Sequence, residues 1–88
     1  MKEIKKRKSF LKSFKNLPPK IQVLAIEKLS LFFEDNSSPE LQDHALKGNM
    51  KGQRAFSVNW DYRITYREEN DRIILLNIGK HAKIYKKF

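Results

Sequence analysis

The second half of the chain holds the side chains best suited to acid–base chemistry. The two histidines, His44 and His81, carry imidazole rings, which take up and release protons near neutral pH. Arg54 and Arg63 lie between them, and a guanidinium group binds phosphate in a bidentate geometry that an ammonium group does not reproduce. Tyr85 adds an aromatic ring close to the last residue. This combination favours proton transfer at a phosphate ester, such as the backbone of RNA.

Each histidine has an ordinary interpretation beside the chemical one. His81 follows a predicted strand, and a loop histidine is usually no more than solvated. Lys80 and Lys83 stand close to it, however, and would hold a phosphate beside the imidazole. His44 directly follows Asp43, whose carboxylate could tune its proton affinity, although neighbours in a chain do not necessarily face each other. Proton transfer by either histidine is therefore a hypothesis.

The arginines and the tyrosine also have structural alternatives. Arg54 and Arg63 fall on neighbouring predicted strands, where they could form cross-strand ion pairs with Glu68 or Asp71 instead of binding phosphate. Tyr85 could stack on a nucleobase, or it could complete the core from an edge strand. The residue types alone do not choose between these interpretations.

The charge of the chain points to an anionic partner. Nineteen Lys and Arg residues against ten Asp and Glu give a formal net charge of +9. Nucleic acid, an anionic membrane and an acidic protein would all be attracted, whereas the alternative for any single lysine is plain solubility. The basic residues concentrate at the two ends of the chain: Lys2, Lys5, Lys6, Arg7, Lys8, Lys12 and Lys15, then Lys80, Lys83, Lys86 and Lys87.

Length and composition favour one domain over residues 1–88. The chain has no cysteine, so disulfides and thiolate metal sites are excluded, and two histidines make a poor zinc site. We expect no metal and no small-molecule cofactor. Neither a signal-peptide core nor a run of about 18 apolar residues is present, so we expect an intracellular, cytoplasmic protein that does not enter a membrane.

A short charged strand over residues 2–7 and an amphipathic helix are predicted at the start of the chain. Ser9 is placed to cap the helix. Its apolar face repeats at helical spacing through Phe10, Leu11, Phe14 and Leu17. Its opposite face carries a line of ammonium groups that could follow a phosphate backbone: Lys8, Lys12 and Lys15.

A second helix is predicted over residues 19–35. Pro18 and Pro19 interrupt the first helix and suit the first turn of the next, because proline has no amide hydrogen to leave unpaired there. Lys28 is expected at the edge of the apolar face, which comprises Ile21, Leu24, Ala25, Leu29 and Phe32. The tight joint between the two helices predicts a helical hairpin that ends at residues 36–39.

The pattern changes to period two from Arg54 onward. Apolar residues alternate through Phe56, Val58 and Trp60, and again through Tyr62, Ile64 and Tyr66. This predicts two antiparallel strands joined tightly at residues 59–61, with a further turn at residues 67–71. The apolar run of residues 73–76 predicts a central strand, and a last short strand is predicted at residues 83–87.

Taken in order, these motifs resemble the RelE/ParE toxin superfamily of bacterial toxin–antitoxin systems, and most closely its YafQ-like branch of messenger RNA interferases. The resemblance rests on residues 41–48, 51–54, 61–66 and 78–81 together with Tyr85, and it covers nearly the whole chain. It implies an α+β fold of order β-α-α-β-β-β(-β), with two N-terminal helices packed on a twisted antiparallel sheet. The element order predicted from the residues agrees with that fold.

The resemblance also implies a chemistry: metal-independent cleavage of messenger RNA in the ribosomal A site, by attack of a ribose 2′-hydroxyl on the adjacent phosphate. By motif, His81 takes the position of the principal catalytic histidine, and His44 and Asp61 match further active-site positions. Arg54 matches a phosphate-contacting arginine, and Tyr85 a catalytic or base-stacking aromatic residue.

One position departs from the family pattern. YafQ-like toxins often carry a second imidazole in the strand after the conserved arginine, where this chain has Ser57. The resemblance therefore leaves open how proton transfer is divided among the other active-site groups. The basic side chains expected to contact RNA are Lys8, Lys12, Lys15, Lys47, Lys51, Arg63, Lys80 and Lys83.

The partners implied are a cognate acidic antitoxin, the ribosome and messenger RNA. Two alternatives remain at this stage. A ParE-like toxin shares the fold and inhibits DNA gyrase, and it would need no imidazole at His81. A non-catalytic basic RNA-binding module would depend on the lysines alone.

Overall fold

The computed structural model of the protein describes residues 3–81. Lys83, Tyr85 and the strand predicted at residues 83–87 lie outside the described residues. Two short 3₁₀ turns, Pro39–Leu41 and Gly48–Met50, interrupt the connection between the helices and the main strands. The regular elements are β1 (Glu3–Lys6), α1 (Lys8–Lys15), α2 (Pro19–Glu34), β2 (His44–Ala45), β3 (Arg54–Ser57), β4 (Tyr62–Glu69) and β5 (Arg72–Lys80).

The five strands form one sheet in the order β1-β5-β4-β3-β2. Strands β2 to β5 pair antiparallel, whereas β1 pairs parallel with β5. The predicted α+β fold with two N-terminal helices is confirmed, and the structure adds that the sheet is mixed. A parallel pair requires a long connection, which here includes the helical hairpin.

Helix α1 begins two residues earlier than a Ser9 cap would require. Because the helix starts at Lys8, Ser9 lies within its first turn and does not cap it. The Ser9 hydroxyl instead donates a hydrogen bond of 2.6 Å to the carbonyl oxygen of Leu76 in β5. Phe10 is buried, but Leu11 is half exposed. The helix thus attaches to β5 along a narrower apolar face than its sequence predicts.

Helix α2 begins at Pro19 as predicted and ends at Glu34, one residue before the predicted end. Its main contact with the sheet is aromatic. The ring of Phe32 stacks on Phe56 with centroids 4.5 Å apart and meets the edge of Tyr66 at 4.9 Å. Such pairs stabilise a core beyond the area that they bury. Within residues 3–81, no helix is long and apolar enough to cross a bilayer.

The β3–β4 hairpin has its turn at the predicted place, but the alternation does not continue through it. Strand β3 ends at Ser57, so Trp60 lies in the turn and is 92% exposed. Both faces of β3 are covered, because Ala55 and Phe56 are each fully buried. The apolar alternation therefore predicted the strand correctly, but it did not apply to the turn that follows Ser57.

The next turn is tighter than predicted. Strand β4 extends to Glu69 and β5 begins at Arg72, so only two residues connect them. Asn70 adopts a left-handed conformation with φ of 56°, which asparagine tolerates better than most residues. Strand β5 lies between β1 and β4 and is interior, as the apolar run of residues 73–76 predicts.

Candidate active site

The pairing register separates two faces of the sheet. His44 pairs with Ala55, Ala55 with Thr65, and Thr65 with Asn77. Directly paired residues point to the same side of a sheet. The adjacent row belongs to the core that packs against both helices, and comprises Phe56, Ile64 and Ile78. Within residues 3–81, we call the opposite side, which carries His44, Ala55 and Thr65, the helix-free face. Asn77 marks its limit, because the Oδ1 atom of Asn77 accepts a hydrogen bond of 2.6 Å from the hydroxyl of Ser13 in α1.

Small residues line the middle of the helix-free face. Ser57 pairs with Arg63, which pairs with Gly79, so these positions continue the same side by alternation. Ser57 is 8% exposed, and Ala55 and Thr65 are more deeply buried. The middle of this face is therefore covered, and the exposed residues in its longest row are His44 and Asn77 at the two ends.

Asp61 and His81 meet at one end of this face. The backbone N–H of His81 donates to the carbonyl oxygen of Asp61 at 2.5 Å, so hydrogen bonding between the strands continues one residue beyond β5. This bond holds the backbones of the two residues side by side just after the end of β5. Both side chains are exposed to solvent. The structure therefore brings together two of the predicted proton-transfer residues.

The β3–β4 turn holds Asp61 in place. The side-chain oxygen of Asn59 accepts hydrogen bonds from the backbone N–H groups of Asp61 and Tyr62, each at 2.9 Å. The Ser57 hydroxyl, at the position where the family often has an imidazole, donates to the Asn59 carbonyl at 3.0 Å. Asparagine is suited to this role because its short side chain mimics a backbone turn.

Arg63 also supports the turn. Its Nη1 donates to the carbonyl oxygens of Asn59, Trp60 and Tyr62. A guanidinium group has five N–H donors, so contact with RNA remains compatible with these bonds. The structure nevertheless assigns Arg63 a structural role that the sequence did not reveal.

Arg54 lies on the other side of the sheet. Its Nε is 3.2 Å from Oδ1 of Asp43 and 3.2 Å from the hydroxyl of Tyr66, and the Tyr66 hydroxyl donates to Oδ2 of Asp43 at 2.5 Å. We call Asp43, Arg54 and Tyr66 the helix-side cluster, because Tyr66 also contacts Phe32 of α2. An open cleft of about 370 Å³ lies beside it, bordered by the loop of residues 36–39.

The helix-side cluster perturbs the protonation of two members. Burial raises the pKa of Tyr66, and its hydrogen bond to Asp43 raises it further. Burial by itself would lower the pKa of Arg54, but the bonds to Tyr66 and the charge of Asp43 raise it overall. Arg54 thus remains a cation held between a carboxylate and a phenol.

His44 does not contact the carboxylate beside it in sequence. Asp43 turns to the helix side to meet Arg54, while His44 points to the helix-free side and its Nδ1 lies 2.9 Å from the carbonyl oxygen of Gln42. Consecutive residues of an extended chain face opposite ways, which explains the difference. The partnership of Asp43 and Arg54 was missed because no local spacing signals it.

The predicted RNA contacts within residues 3–81 are all exposed lysines, apart from Arg63. Lys47 and Lys51 flank the 3₁₀ turn Gly48–Met50, and Gly48 and Gly52 supply the positive φ angles of 66° and 91° that this connection needs. Lys80 ends β5 near His81. The remaining three lie on α1: Lys8, Lys12 and Lys15.

Comparison with known proteins identifies the family. Residues 2–86 match the family described as "Bacterial toxin of type II toxin-antitoxin system, YafQ". No curated protein matches the sequence significantly. A copper-bound mutant toxin from Helicobacter pylori is 30% identical, with a TM-score of 0.73 over 97% of this chain and 100% of its own.

Two Escherichia coli structures share the fold. YafQ from strain BL21(DE3) has a TM-score of 0.78 at 19% identity, over 97% of this chain and 99% of its own. The toxin–antitoxin complex of DinJ and YafQ has a TM-score of 0.76 at 20% identity, over 96% and 97%. The match over nearly the full chain confirms the resemblance read from the motifs: the protein belongs to the YafQ family of type II toxin–antitoxin toxins.

Proposed function

We propose that the protein cleaves messenger RNA on the ribosome by attack of a ribose 2′-hydroxyl on the neighbouring phosphate. The observation that carries the proposal is the backbone hydrogen bond that holds Asp61 and His81 side by side, with both side chains exposed and with Lys80 exposed at the end of β5. Two proton-transfer groups and a cation are the parts that this reaction needs.

In the proposed reaction the 2′-oxygen forms a bond to phosphorus while the bond from phosphorus to the 5′-oxygen breaks. A base takes the proton of the 2′-hydroxyl, and an acid supplies a proton to the departing 5′-oxygen. His81 is one of these two groups and Asp61 or His44 the other. The products are a 2′,3′-cyclic phosphate and a 5′-hydroxyl, so atoms and charge balance without an added reactant.

The reaction is proposed to need no metal ion. Within residues 3–81, no three His, Cys, Asp or Glu side chains stand close enough together to hold one. Positive charge at the phosphate would come instead from Lys80 and from the lysines of the 3₁₀ connection, Lys47 and Lys51. A chelator should accordingly leave cleavage unchanged, as far as the ribosome tolerates it.

The proposal includes two partners. The ribosome would orient the messenger RNA, with the exposed lysines of α1 contacting ribosomal RNA. An acidic antitoxin would neutralise the protein by covering the site, because a net charge of +9 favours a negatively charged, partly disordered chain. A crystal structure of the Escherichia coli relative YafQ shows it in a toxin–antitoxin complex with DinJ.

Primer extension on a translated messenger RNA tests the proposal. Wild type should generate new 5′ ends, and His81→Ala should not do so at comparable enzyme concentration. Glu34→Gln, an exposed substitution at the end of α2, serves as the matched control and should cut as wild type does. If the folded His81→Ala protein cuts normally and still arrests growth, the catalytic assignment is wrong. A gyrase-directed mechanism would then take its place, and gyrase supercoiling assays would detect it.

The antitoxin half of the proposal is tested separately. Co-expression with the short reading frame next to the toxin gene should restore growth, and the two purified proteins should form a complex at moderate salt. Absence of any complex would contradict this half and leave the cleavage chemistry untouched.

A further inference from the structure

The side chain of Trp60 lies outside the hydrophobic core. Its side chain is 92% exposed, although an indole is among the largest apolar groups that a core can bury. The other large exposed apolar residues of the described part of the chain are about half exposed and lie on the two helices: Leu11, Val23, Ile26 and Phe33. Turns favour Gly, Asn, Asp, Ser and Pro for conformational reasons, and tryptophan offers none of these advantages.

The backbone that carries Trp60 is rigidly held. The carbonyl oxygen of Trp60 accepts a hydrogen bond of 3.3 Å from Arg63. On either side, Asn59 binds the N–H groups of Asp61 and Tyr62, and Val58 N–H bonds to the Tyr62 carbonyl at 2.9 Å. An aromatic ring on a fixed backbone loses little conformational entropy when it binds a ligand.

The position of Trp60 places it next to the candidate active site. It directly precedes Asp61, whose carbonyl oxygen is bonded to the backbone of His81. Trp60 borders an open cleft of about 210 Å³ between the β3–β4 hairpin and the helical side of the molecule. The other lining residues are Ser57, Val58, Asn59 and Arg63 of the hairpin, with Lys28 of α2, Glu40 and Gln42. An exposed indole therefore stands beside a mostly polar cleft, one position along the chain from Asp61.

We propose that Trp60 is a stacking platform for an unpaired nucleobase of the RNA, next to the phosphate that is cut. The inference rests on the proposed function and adds a binding subsite to it. Aromatic side chains on positively charged surfaces stack bases with little regard to sequence, because every base has a π-face. Docking of a protein would instead favour a contiguous apolar patch of several hundred Å², whereas the residues that line the cleft beside Trp60 are mostly polar.

The first experiment uses the intrinsic fluorescence of the wild-type protein. Trp60 is the only tryptophan of the chain, so the indole emission reports this position alone. Titration with a 2′-O-methyl single-stranded oligonucleotide, which cannot be cut, should quench and shift the emission. An abasic oligonucleotide with the same number of phosphates should bind through charge without quenching. Phe33→Ala, which removes an exposed aromatic ring of α2, should retain the quenching.

The second experiment measures ribosome-dependent cleavage. Trp60→Ala should raise the substrate concentration for half-maximal cleavage roughly tenfold, within the range observed for loss of one base–aromatic stack. The rate at saturation should change much less, since the indole contacts the base and not the reacting atoms. Trp60→Phe should recover most of the loss, because phenylalanine keeps a stacking surface.

The outcomes separate the possibilities. If the oligonucleotide binds by anisotropy without changing the emission, or Trp60→Ala cleaves with unaltered half-maximal concentration, the stacking proposal is wrong while the proposed function stands. If Trp60→Ala loses antitoxin binding and keeps wild-type RNA binding, the indole belongs to a protein interface, which also overturns it. If the wild-type protein neither binds nor cuts RNA, the proposed function itself fails.

Discussion

Asp43 and Asp61 carry the same carboxylate in opposite surroundings. Asp43 is nearly buried on the helix side, where Arg54 and Tyr66 occupy both of its oxygens. Asp61 is exposed at the edge of the helix-free face, and its turn is stabilised through the backbone. A carboxylate whose lone pairs are taken by fixed partners holds a structure together, whereas an exposed one on a rigid turn remains able to exchange a proton.

The same contrast separates the cations. Arg54, identified by motif as a phosphate contact, is bound to Asp43 and Tyr66 on the helix side. Lys80 stands exposed near His81. The comparison predicts that variants of the helix-free face change activity with little change in stability, and that variants of the helix-side cluster do the reverse.

The largest expected effect is that of His81→Ala on cleavage. Loss of one positioned proton-transfer group lowers a rate by roughly 10²- to 10⁴-fold. Because His81 is exposed, the free energy of unfolding should change by no more than about 0.5 kcal/mol. Single-turnover cleavage measures the rate, and urea denaturation measures the free energy of unfolding. A large loss of stability in His81→Ala would contradict the view that this region serves activity and the helix-side cluster serves stability.

Removal of the α1 lysines should come next in magnitude. Changing Lys8, Lys12 and Lys15 together to alanine should weaken ribosome binding by on the order of 100-fold near 0.15 M salt and reduce the log–log salt slope by about 2 to 3, since fewer counterions are released. Cleavage at saturating enzyme should persist. An unchanged slope would mean that this helix face points to bulk solvent.

Asp43→Ala should reverse the pattern seen at His81. It leaves the phenol of Tyr66 without its acceptor and the partly buried Arg54 without its counter-charge, at a cost of about 2 kcal/mol in the free energy of unfolding. The shift in the urea midpoint of unfolding measures this cost. Asp61→Asn, which changes an exposed carboxylate, is the control and should unfold as wild type does. Equal stability of the two variants would contradict the assignment of the helix-side cluster to structure.

The smallest effect concerns alkaline pH. The pKa of Tyr66 is raised in the folded protein above its ordinary value of 10, so the unfolded chain releases this proton first. The stabilisation is complete below about pH 10 and is lost as pH rises further. Tyr66→Phe should flatten the decline of the unfolding free energy between pH 10 and 11, by roughly 1 kcal/mol or less. If the unfolding free energy declined identically in wild type and variant, the decline would come from groups other than Tyr66.

Local sequence predicted most of the element order and the place of His81. The Pro18 boundary, the helical spacing of α2 and the alternation from Arg54 each depend on residues only a few positions apart. The first two were confirmed, and the alternation was confirmed within β3 and β4 but not at Trp60 in the turn. The match of residues 2–86 to the YafQ family likewise confirms what the ordered motifs indicated. The roles of the individual site residues stay predictions, and Lys83 and Tyr85 lie outside the described residues.

By itself the sequence determined the two helices, the strands β1, β3, β4 and β5, and the family, because backbone periodicity and turn chemistry are properties of neighbouring residues. Tertiary structure alone decided that Asp43 meets Arg54 and not His44, that Ser9 bonds to Leu76, and that β1 runs parallel to β5. Those outcomes depend on strand register and on which face of the sheet the helices cover. Both are set by packing between segments far apart in the chain, for which no local pattern carries a signal.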